Sequence, residues 1–283
     1  MDTTSLDPAR PIPDFVIPGF SKCGTTTLFE WLSACAEVSR GTAKEPAFFA
    51  EDDLWAKGFD WYAARIGDPA QGLVGDGSPH YLDPAWSDAA AKRIAEHRPD
   101  VRLLVLHRDP LERAISHFRH EVRRDREKTP VADVSAALTL DSAYVRASRF
   151  GSGFAPFAER FSSEQILIIP MERLSDRGWS TALAHLGLPD RPPTRESRNV
   201  GSATPSWTPM MRKLHERGII EKVQRLAPRR LRRLGAKVLL SEPVETAPPT
   251  DVVREQIDPA VRSLLDEELA RFVELSARFL HVA

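Results

Sequence analysis

Asp14-Phe15-Val16-Ile17-Pro18-Gly19-Phe20-Ser21-Lys22-Cys23-Gly24-Thr25-Thr26-Thr27-Leu28 is the stretch that decides the fold. Its opening, Asp14 to Pro18, is a short apolar run without alternation, which suits a strand covered on both faces of a parallel sheet. A glycine-bounded turn follows, then three threonines and a helical pattern with Leu28, Trp31, Leu32 and Cys35 at i, i+3, i+4 and i+7. Strand, glycine turn and helix start together make an anion site. The first-turn N–H groups have no intrahelical acceptor, and the positive end of the helix dipole points the same way. Gly19 and Gly24 are spaced as in a Walker A loop, but Thr25 follows the second glycine and the lysine lies inside the loop, at Lys22. The bland alternative is a glycine turn before a capped helix, with Lys22 in solvent.

Working outward, Arg102 to His107 and Gln165 to Pro170 are two more buried-strand runs, and Gly72 to Asp76 is a weaker one. Leu111, Ala114, Ile115 and Phe118 give a second helical stripe, with Asp109 placed to cap it and Pro110 in the first turn. Strands alternating with helices predict an α/β fold, a three-layer sandwich with a central parallel sheet, whose ligands sit at the carboxyl ends of the strands. The last third differs. Pro189 to Pro209 reads as a long loop or lid, Thr208 to Lys237 as a basic helical stretch, and Glu242 to Pro249 as a break. A final helix is expected from about Pro259, with Val261, Leu265, Leu269, Phe272 and Phe279 on one stripe. The expectation is one domain over 1–283, with a core at about 14–201 and a helical C-terminal cap at about 202–283.

Composition narrows the function. The chain has 283 residues, 42% of them hydrophobic, enough for a large core. Its 39 Lys+Arg and 40 Asp+Glu leave a formal charge of −1, which argues against a protein coated with base for nucleic acid. No apolar run approaches the roughly 20 residues of a membrane span, and Met1 to Pro13 lacks the apolar centre of a secretory signal. Two cysteines, Cys23 and Cys35, form neither a disulfide framework nor a zinc pattern. A cytoplasmic protein is expected, with its oligomeric state left open.

Lys22-Cys23-Gly24-Thr25-Thr26-Thr27-Leu28 resembles the 5′-phosphosulfate loop of the sulfotransferases that use 3′-phosphoadenosine 5′-phosphosulfate (PAPS). The resemblance implies that the amides and hydroxyls of Cys23, Gly24, Thr25, Thr26 and Thr27 hold the 5′-phosphate, with Lys22 on the bridging oxygen. His107-Arg108-Asp109-Pro110-Leu111-Glu112-Arg113-Ala114-Ile115-Ser116 resembles the family's 3′-phosphate motif, implying that Arg108 and Ser116 meet that phosphate. An arginine fork and a hydroxyl suit a dianionic group. The alternative is a solvated basic face of Arg113, Arg119, Arg123 and Arg124, and it is accepted for the last three.

Thr42 to Phe49 (TAKEPAFF), with Gly58-Phe59-Asp60-Trp61-Tyr62 behind it, is similar to the pattern of the heparan-sulfate-type branch and its bacterial relatives. That likeness makes Glu45 the general base on the acceptor hydroxyl and puts Lys44 beside it in the acceptor cleft. Carboxylates are weak bases toward hydroxyls, so such help comes late in the transfer and is typically worth about 10²–10⁴-fold. Gly75 to Leu82 (GDGSPHYL) resembles another family element but departs from it at Gly77, where animal members carry a lysine. Lys44 or His80 then has to supply any second cation. His80 and His107 are secondary candidates, whereas Cys23 is expected to offer only its backbone.

Phe150 to Phe161, Gln165 to Pro170 and Leu186 to Pro189 follow the family's order without adding chemistry. Arg195 to Gly201 sits where relatives place a cofactor-closing loop, which implies Arg198, Asn199 and Gly201 as cofactor contacts. The basic cluster Arg225 to Lys237 reads as a solvated face, or else as a contact for an anionic acceptor or membrane surface. The reaction implied is direct in-line sulfuryl transfer from PAPS, without a metal, to a hydroxyl on a sugar, lipid or secondary metabolite. Two other readings stay open: a P-loop nucleotide or small-molecule kinase, and a non-catalytic nucleotide-binding protein.

Overall fold

The computed structural model describes residues 12–123, 127, 129, 133–193 and 250–282. The chain opens with β1 (Phe15–Gly19), α1 (Thr25–Leu32) and β2 (Val38–Ser39), followed by α2 (Asp52–Trp55) and α3 (Gly58–Ile66). Next come β3 (Leu73–Asp76), a 3₁₀ turn at Pro79–Leu82, α4 (Ser87–His97), β4 (Arg102–His107) and α5 (Pro110–Arg123). Three helices, α6 (Val134–Ala137), α7 (Ala143–Arg146) and α8 (Phe150–Arg160), lead to β5 (Ile166–Pro170) and α9 (Trp179–His185). After 194–249 the chain is described again in α10 (Thr250–Gln256), α11 (Pro259–Ser276) and β6 (Leu280–His281).

The strands form one parallel sheet in the order β2-β3-β1-β4-β5-β6. The three apolar runs and the weaker one become β1, β4, β5 and β3. The interiors of β1, β4 and β5 are wholly buried, because helices cover both faces and leave no solvent side for polar residues to alternate onto. Right-handed crossovers send α1 and α4 to opposite faces. Trp31 of α1 meets Trp179 of α9 edge to face at 5.6 Å. On the other side Phe272 of α11 packs on Phe20, Phe150 and Phe154. The expected α/β sandwich is therefore present.

The second stripe also forms as expected. Leu111, Ala114, Ile115 and Phe118 of α5 are buried in a separate cluster with Val253 of α10, Ile257 just past its end, and Val261 and Leu265 of α11. Asp109 Oδ1 accepts from Glu112 N–H at 2.8 Å, capping α5 ahead of Pro110. Phe279, expected on the α11 stripe, lies past the helix end and is buried against Phe154 instead. The loop or lid expected at 189–209 is described only to 193, and the basic stretch 208–237 lies outside the described residues.

Candidate active site

The chain leaves β1 for one face of the sheet and the neighbouring β4 for the other, so a crevice opens between their carboxyl ends. Phe20 N–H donates to Leu106 O at 2.8 Å and ties the β1 loop to β4. Within that loop Lys22 (φ 66°) and Gly24 (φ 89°) are left-handed, a conformation that turns successive amides inward. A Cβ on Gly24 would meet Met171 and Leu174 at 3.3 Å, a second reason for glycine there. Cys23 is buried, and desolvation pushes its thiol up to about 12 despite nearby Arg113 and Arg108. It stays a thiol at neutral pH.

Helix α1 starts bare. Gly24 gives no side-chain cap, and no acidic residue occupies the first turn. Thr25 and Thr27 are buried, and Thr26 Oγ1 accepts from Lys44 Nζ at 3.0 Å. Lys44 also pairs with the exposed Glu45 carboxylate. The segment after β2 thus brings Lys44 and Glu45 to the α1 N-terminus, some twenty residues away in sequence.

Three hydrogen bonds hold that segment against the end of β3. Gly77 N–H donates to Lys44 O (3.0 Å), Ala47 N–H to Ser78 Oγ (3.0 Å) and Phe49 N–H to the Tyr81 hydroxyl (3.3 Å). Phe48 stacks on Tyr62 with centroids 4.6 Å apart, so the two phenylalanines and the Gly58–Tyr62 element share one aromatic cluster. Behind them Asp76 is fully buried, and burial pushes its carboxyl up to about 6 against the hydrogen bonds it accepts. Gly77 has a steric explanation: a Cβ there would stand 2.7 Å from Phe29 Cδ2.

On the β4 side, Arg108 Nη2 bonds Glu112 at 2.7 Å, and its Nε is buried with no partner among the described residues. Ser116 lies two turns along α5, half-buried. The largest departure from the solvated-face alternative is Arg113, whose exposure is 0%. Its Nη1 donates to Ser21 Oγ (3.1 Å) and Ala147 O (3.0 Å), and its Nη2 to Tyr144 O (3.0 Å) and His117 Nδ1 (2.9 Å). Sequence reasoning missed it because the partners, Ser21 of the β1–α1 loop and Tyr144 and Ala147 at α7, are distant in sequence. Arg119 is half-buried rather than solvated, and the side chains of Arg123 and Arg124 lie outside the described residues.

His117 is pushed down to about 3, first by burial and then by the charges of Arg113, Lys22, His120 and His80. His80 is exposed on the 3₁₀ turn, beside Trp86 at 6.0 Å. His107 ends β4 against Phe272 (5.2 Å), with burial pushing it down to about 4, so it remains neutral. Asp109 spends its second oxygen on Arg254 of α10, 3.0 Å away. Arg198, Asn199 and Gly201 lie outside the described residues. Among the described residues no group of three His, Cys, Asp or Glu side chains is placed to hold a metal, and no helix is long and apolar enough to cross a membrane.

The family model described as sulfotransferase domain matches residues 12–177, more than half of the chain. The chain belongs to the sulfotransferase family. This sulfotransferase-family chain is 28% identical over 174 residues to heparan sulfate glucosamine 3-O-sulfotransferase 3A1 of Mus musculus, covering 59% of itself and 42% of that protein. It is 28% identical over 129 residues to the membrane-associated sulfotransferase kil1 of Dictyostelium discoideum, covering 44% of itself and 26% of the relative. The bifunctional heparan sulfate N-deacetylase/N-sulfotransferase 1 of Caenorhabditis elegans is 26% identical over 183 residues, 58% of this chain and 20% of that one. The chain thus spans less than half the length of these relatives.

Among solved structures, a sulfotransferase from Alicyclobacillus acidocaldarius superposes with a TM-score of 0.57 at 19% identity, over 96% of this chain and 98% of the other. That likeness shows a shared fold. The family and architecture expected from the motifs are borne out.

Proposed function

We propose that this chain transfers a sulfuryl group from PAPS, directly and in line, to an acceptor hydroxyl. One observation carries the reading: the bare α1 N-terminus with Lys22 in its loop, and Arg108 at the end of β4, open from adjacent strands at the switch point of the sheet. The site suits a group bearing two phosphates. No acidic side chain competes in the α1 first turn, and Arg108 Nε and Arg113 Nε are buried donors without partners among the described residues.

In this proposal Cys23, Gly24, Thr25, Thr26 and Thr27 hold the 5′-phosphate through amides and hydroxyls, and Arg108 and Ser116 hold the 3′-phosphate. Arg198, Asn199 and Gly201 cover the nucleotide. When bound, PAPS supplies an activated sulfuryl group on a phosphate leaving group. Lys22, carried in the loop at φ 66°, meets the negative charge that builds at the leaving oxygen, an electrostatic role. Lys44 stands between Thr26 Oγ1 and the Glu45 carboxylate. An anion at the α1 N-terminus draws that ammonium toward the helix and loosens its hold on Glu45. Glu45 then accepts the acceptor's proton on a carboxylate oxygen, with His80 as the neighbouring alternative at the acceptor side. Positive charge comes from the lysines, Arg108 and the helix end, so the proposal uses no metal.

The acceptor proposed is a hydroxyl on a glycan, lipid or secondary metabolite, and the names of the relatives put sugar hydroxyls first. The same proposal takes 1–283 as one domain, a bacterial-type enzyme working in the cytoplasm. Limited proteolysis and cell fractionation check those points. A kinase reading is not favoured, since Thr25 rather than lysine follows Gly24.

The deciding experiment is thermal unfolding with a chelator present. Adenosine 3′,5′-bisphosphate at about 100 times its Kd adds about 2.7 kcal/mol of stability, and adenosine 5′-monophosphate at the same concentration adds much less. Equal stabilisation by the two would overturn the 3′-phosphate assignment. Mass spectrometry for an added sulfate across an acceptor panel then identifies the substrate.

A further inference from the structure

We infer that Asp76 is a positioning residue for Glu45, acting through the hydroxyls of Ser78 and Tyr81 to fix the backbone of the Lys44–Phe49 segment. The inference rests on the proposed role of Glu45 in transfer. Asp76 ends β3 and is fully buried. Its Oδ1 accepts from Ser78 Oγ (2.6 Å) and Ser78 N–H (3.1 Å), and its Oδ2 from the hydroxyls of Tyr81 (2.7 Å) and Tyr62 (3.0 Å). Two of those hydroxyls are also the acceptors for the segment that carries Glu45: Ser78 Oγ receives Ala47 N–H, and the Tyr81 hydroxyl receives Phe49 N–H.

The direction of these bonds is what Asp76 decides. A hydroxyl has one proton, and an ionised carboxylate can only accept. Both hydroxyl protons therefore point at Asp76, which leaves lone pairs, not protons, facing Ala47 N–H and Phe49 N–H. A neutral amide of the same shape cannot do this. With its nitrogen toward Ser78 it would set donor against donor at Ser78 N–H. With its nitrogen toward the tyrosines, Tyr81 must accept from it and turn its own proton toward Phe49 N–H. Either way one strap is lost. The segment needs both, because Ala47 is held at φ 51°, a left-handed conformation an alanine does not keep unaided. Glu45 lies two residues before that point, and its carboxylate is placed by the backbone that the straps fix.

Asp76→Asn keeps the volume and removes the charge, and Tyr81→Phe removes a single hydroxyl. The test measures both by amide hydrogen exchange, nucleotide affinity and turnover. Exchange should rise at least about tenfold at Phe49 in Tyr81→Phe and at Ala47 or Phe49 in Asp76→Asn, with amides in β4 and β5 unchanged, since a lost strap frees a local opening. Affinity for adenosine 3′,5′-bisphosphate should hold, because its loop belongs to another segment. With a confirmed acceptor, kcat should fall by roughly 10²-fold, the cost of a small misplacement of a reacting group. In a Glu45→Gln background, Asp76→Asn should cost little more, because the group it positions is already disabled.

Equal losses in both backgrounds, or exchange unchanged at both Ala47 and Phe49 in Asp76→Asn, would overturn the inference. So would faster exchange spread evenly over the sheet, which marks a merely structural residue. If Asp76→Asn does not fold, Tyr81→Phe carries the test through kcat: a loss present with Glu45 and absent in the Glu45→Gln background supports positioning through the strap, and an equal loss in both overturns it. A wild-type chain that binds no bisphosphate nucleotide and transfers nothing would sink the sulfuryl-transfer reading alone, and exchange at Ala47 and Phe49 in Asp76→Asn would still decide whether Asp76 holds the segment.

Discussion

Arg113 of α5 holds Ser21 of the β1–α1 loop: its Nη1 donates to Ser21 Oγ at 3.1 Å from a fully buried position. Burial pushes its guanidinium down to about 10, still charged at neutral pH. The two strand ends that frame the crevice are therefore joined by a cation as well as by the backbone. The bond from Phe20 N–H to Leu106 O fixes their distance, and Arg113 adds positive potential beneath the loop.

Replacing Arg113 by methionine fills the space but strips Ser21 Oγ and Ala147 O of a donor. Each unmet buried group costs about 1–3 kcal/mol. Urea unfolding should register that loss, and affinity for adenosine 3′,5′-bisphosphate should fall with it. Arg113→Lys should restore part of the affinity by returning charge without the fork. Full affinity in the methionine variant would show that Ser21 needs no such support.

Lys22→Ala should fold as the parent does and lose roughly 10²–10³ in kcat, taking loss of one oxyanion donor as the guide. Nucleotide binding should suffer less, because the loop amides remain. Undiminished turnover with a confirmed acceptor would remove Lys22 from the leaving-group role.

Gly77→Ala should lower stability by about 1–3 kcal/mol through overpacking against Phe29. Trimming the neighbour tests the cause: Phe29→Leu in the same chain should recover part of the loss in a thermal melt. Independent, additive losses would mean that the strain lies elsewhere.

Acid should unfold the protein through buried histidines. His107, His117 and His185 are pushed down to about 4, 3 and 4, mainly by burial. Unfolded, each takes a proton near 6.5; folded, none does until pH 4 or lower. The stability they contribute above pH 6.5 is thus lost progressively as pH falls toward 4. Asp76, pushed up to about 6, works the other way and favours the fold as pH drops from 6 toward 4. Three groups outweigh one, so Tm should fall between pH 7 and 4.5. His185→Gln, on α9 near the start of β5 rather than at the crevice, should make that fall shallower.

Sequence pattern exposed the sheet centre because β1, β4 and β5 are buried on both faces and therefore written as unbroken apolar runs. Two-residue β2 and β6 carry too little pattern to be seen. The loop, Arg108 and Glu45 were legible because their residue types recur at motif spacings. Arg113 and Asp76 were not. Arginine on a helix reads as solvent-facing until the chain near Tyr144 and Ala147 closes over it. Asp76 gains meaning only when Tyr62 of α3 and Ser78 and Tyr81 at the 3₁₀ turn converge on it.

The pairing of β6 with β5 bears on how this protein can be cut. The family match stops at residue 177, but Leu280 and His281 lie along Leu167 and Ile168 as the outermost strand. A fragment trimmed to the matched span would bare the apolar margin of β5, with its amides and carbonyls unpaired. It would also strip Phe272 from the rings of Phe20 and Phe150, which close over the β1 loop. Such an uncovered margin invites pairing between copies. Expression of the recognisable part alone should yield aggregates, and the far C-terminal segment is best regarded as the seal on the sheet.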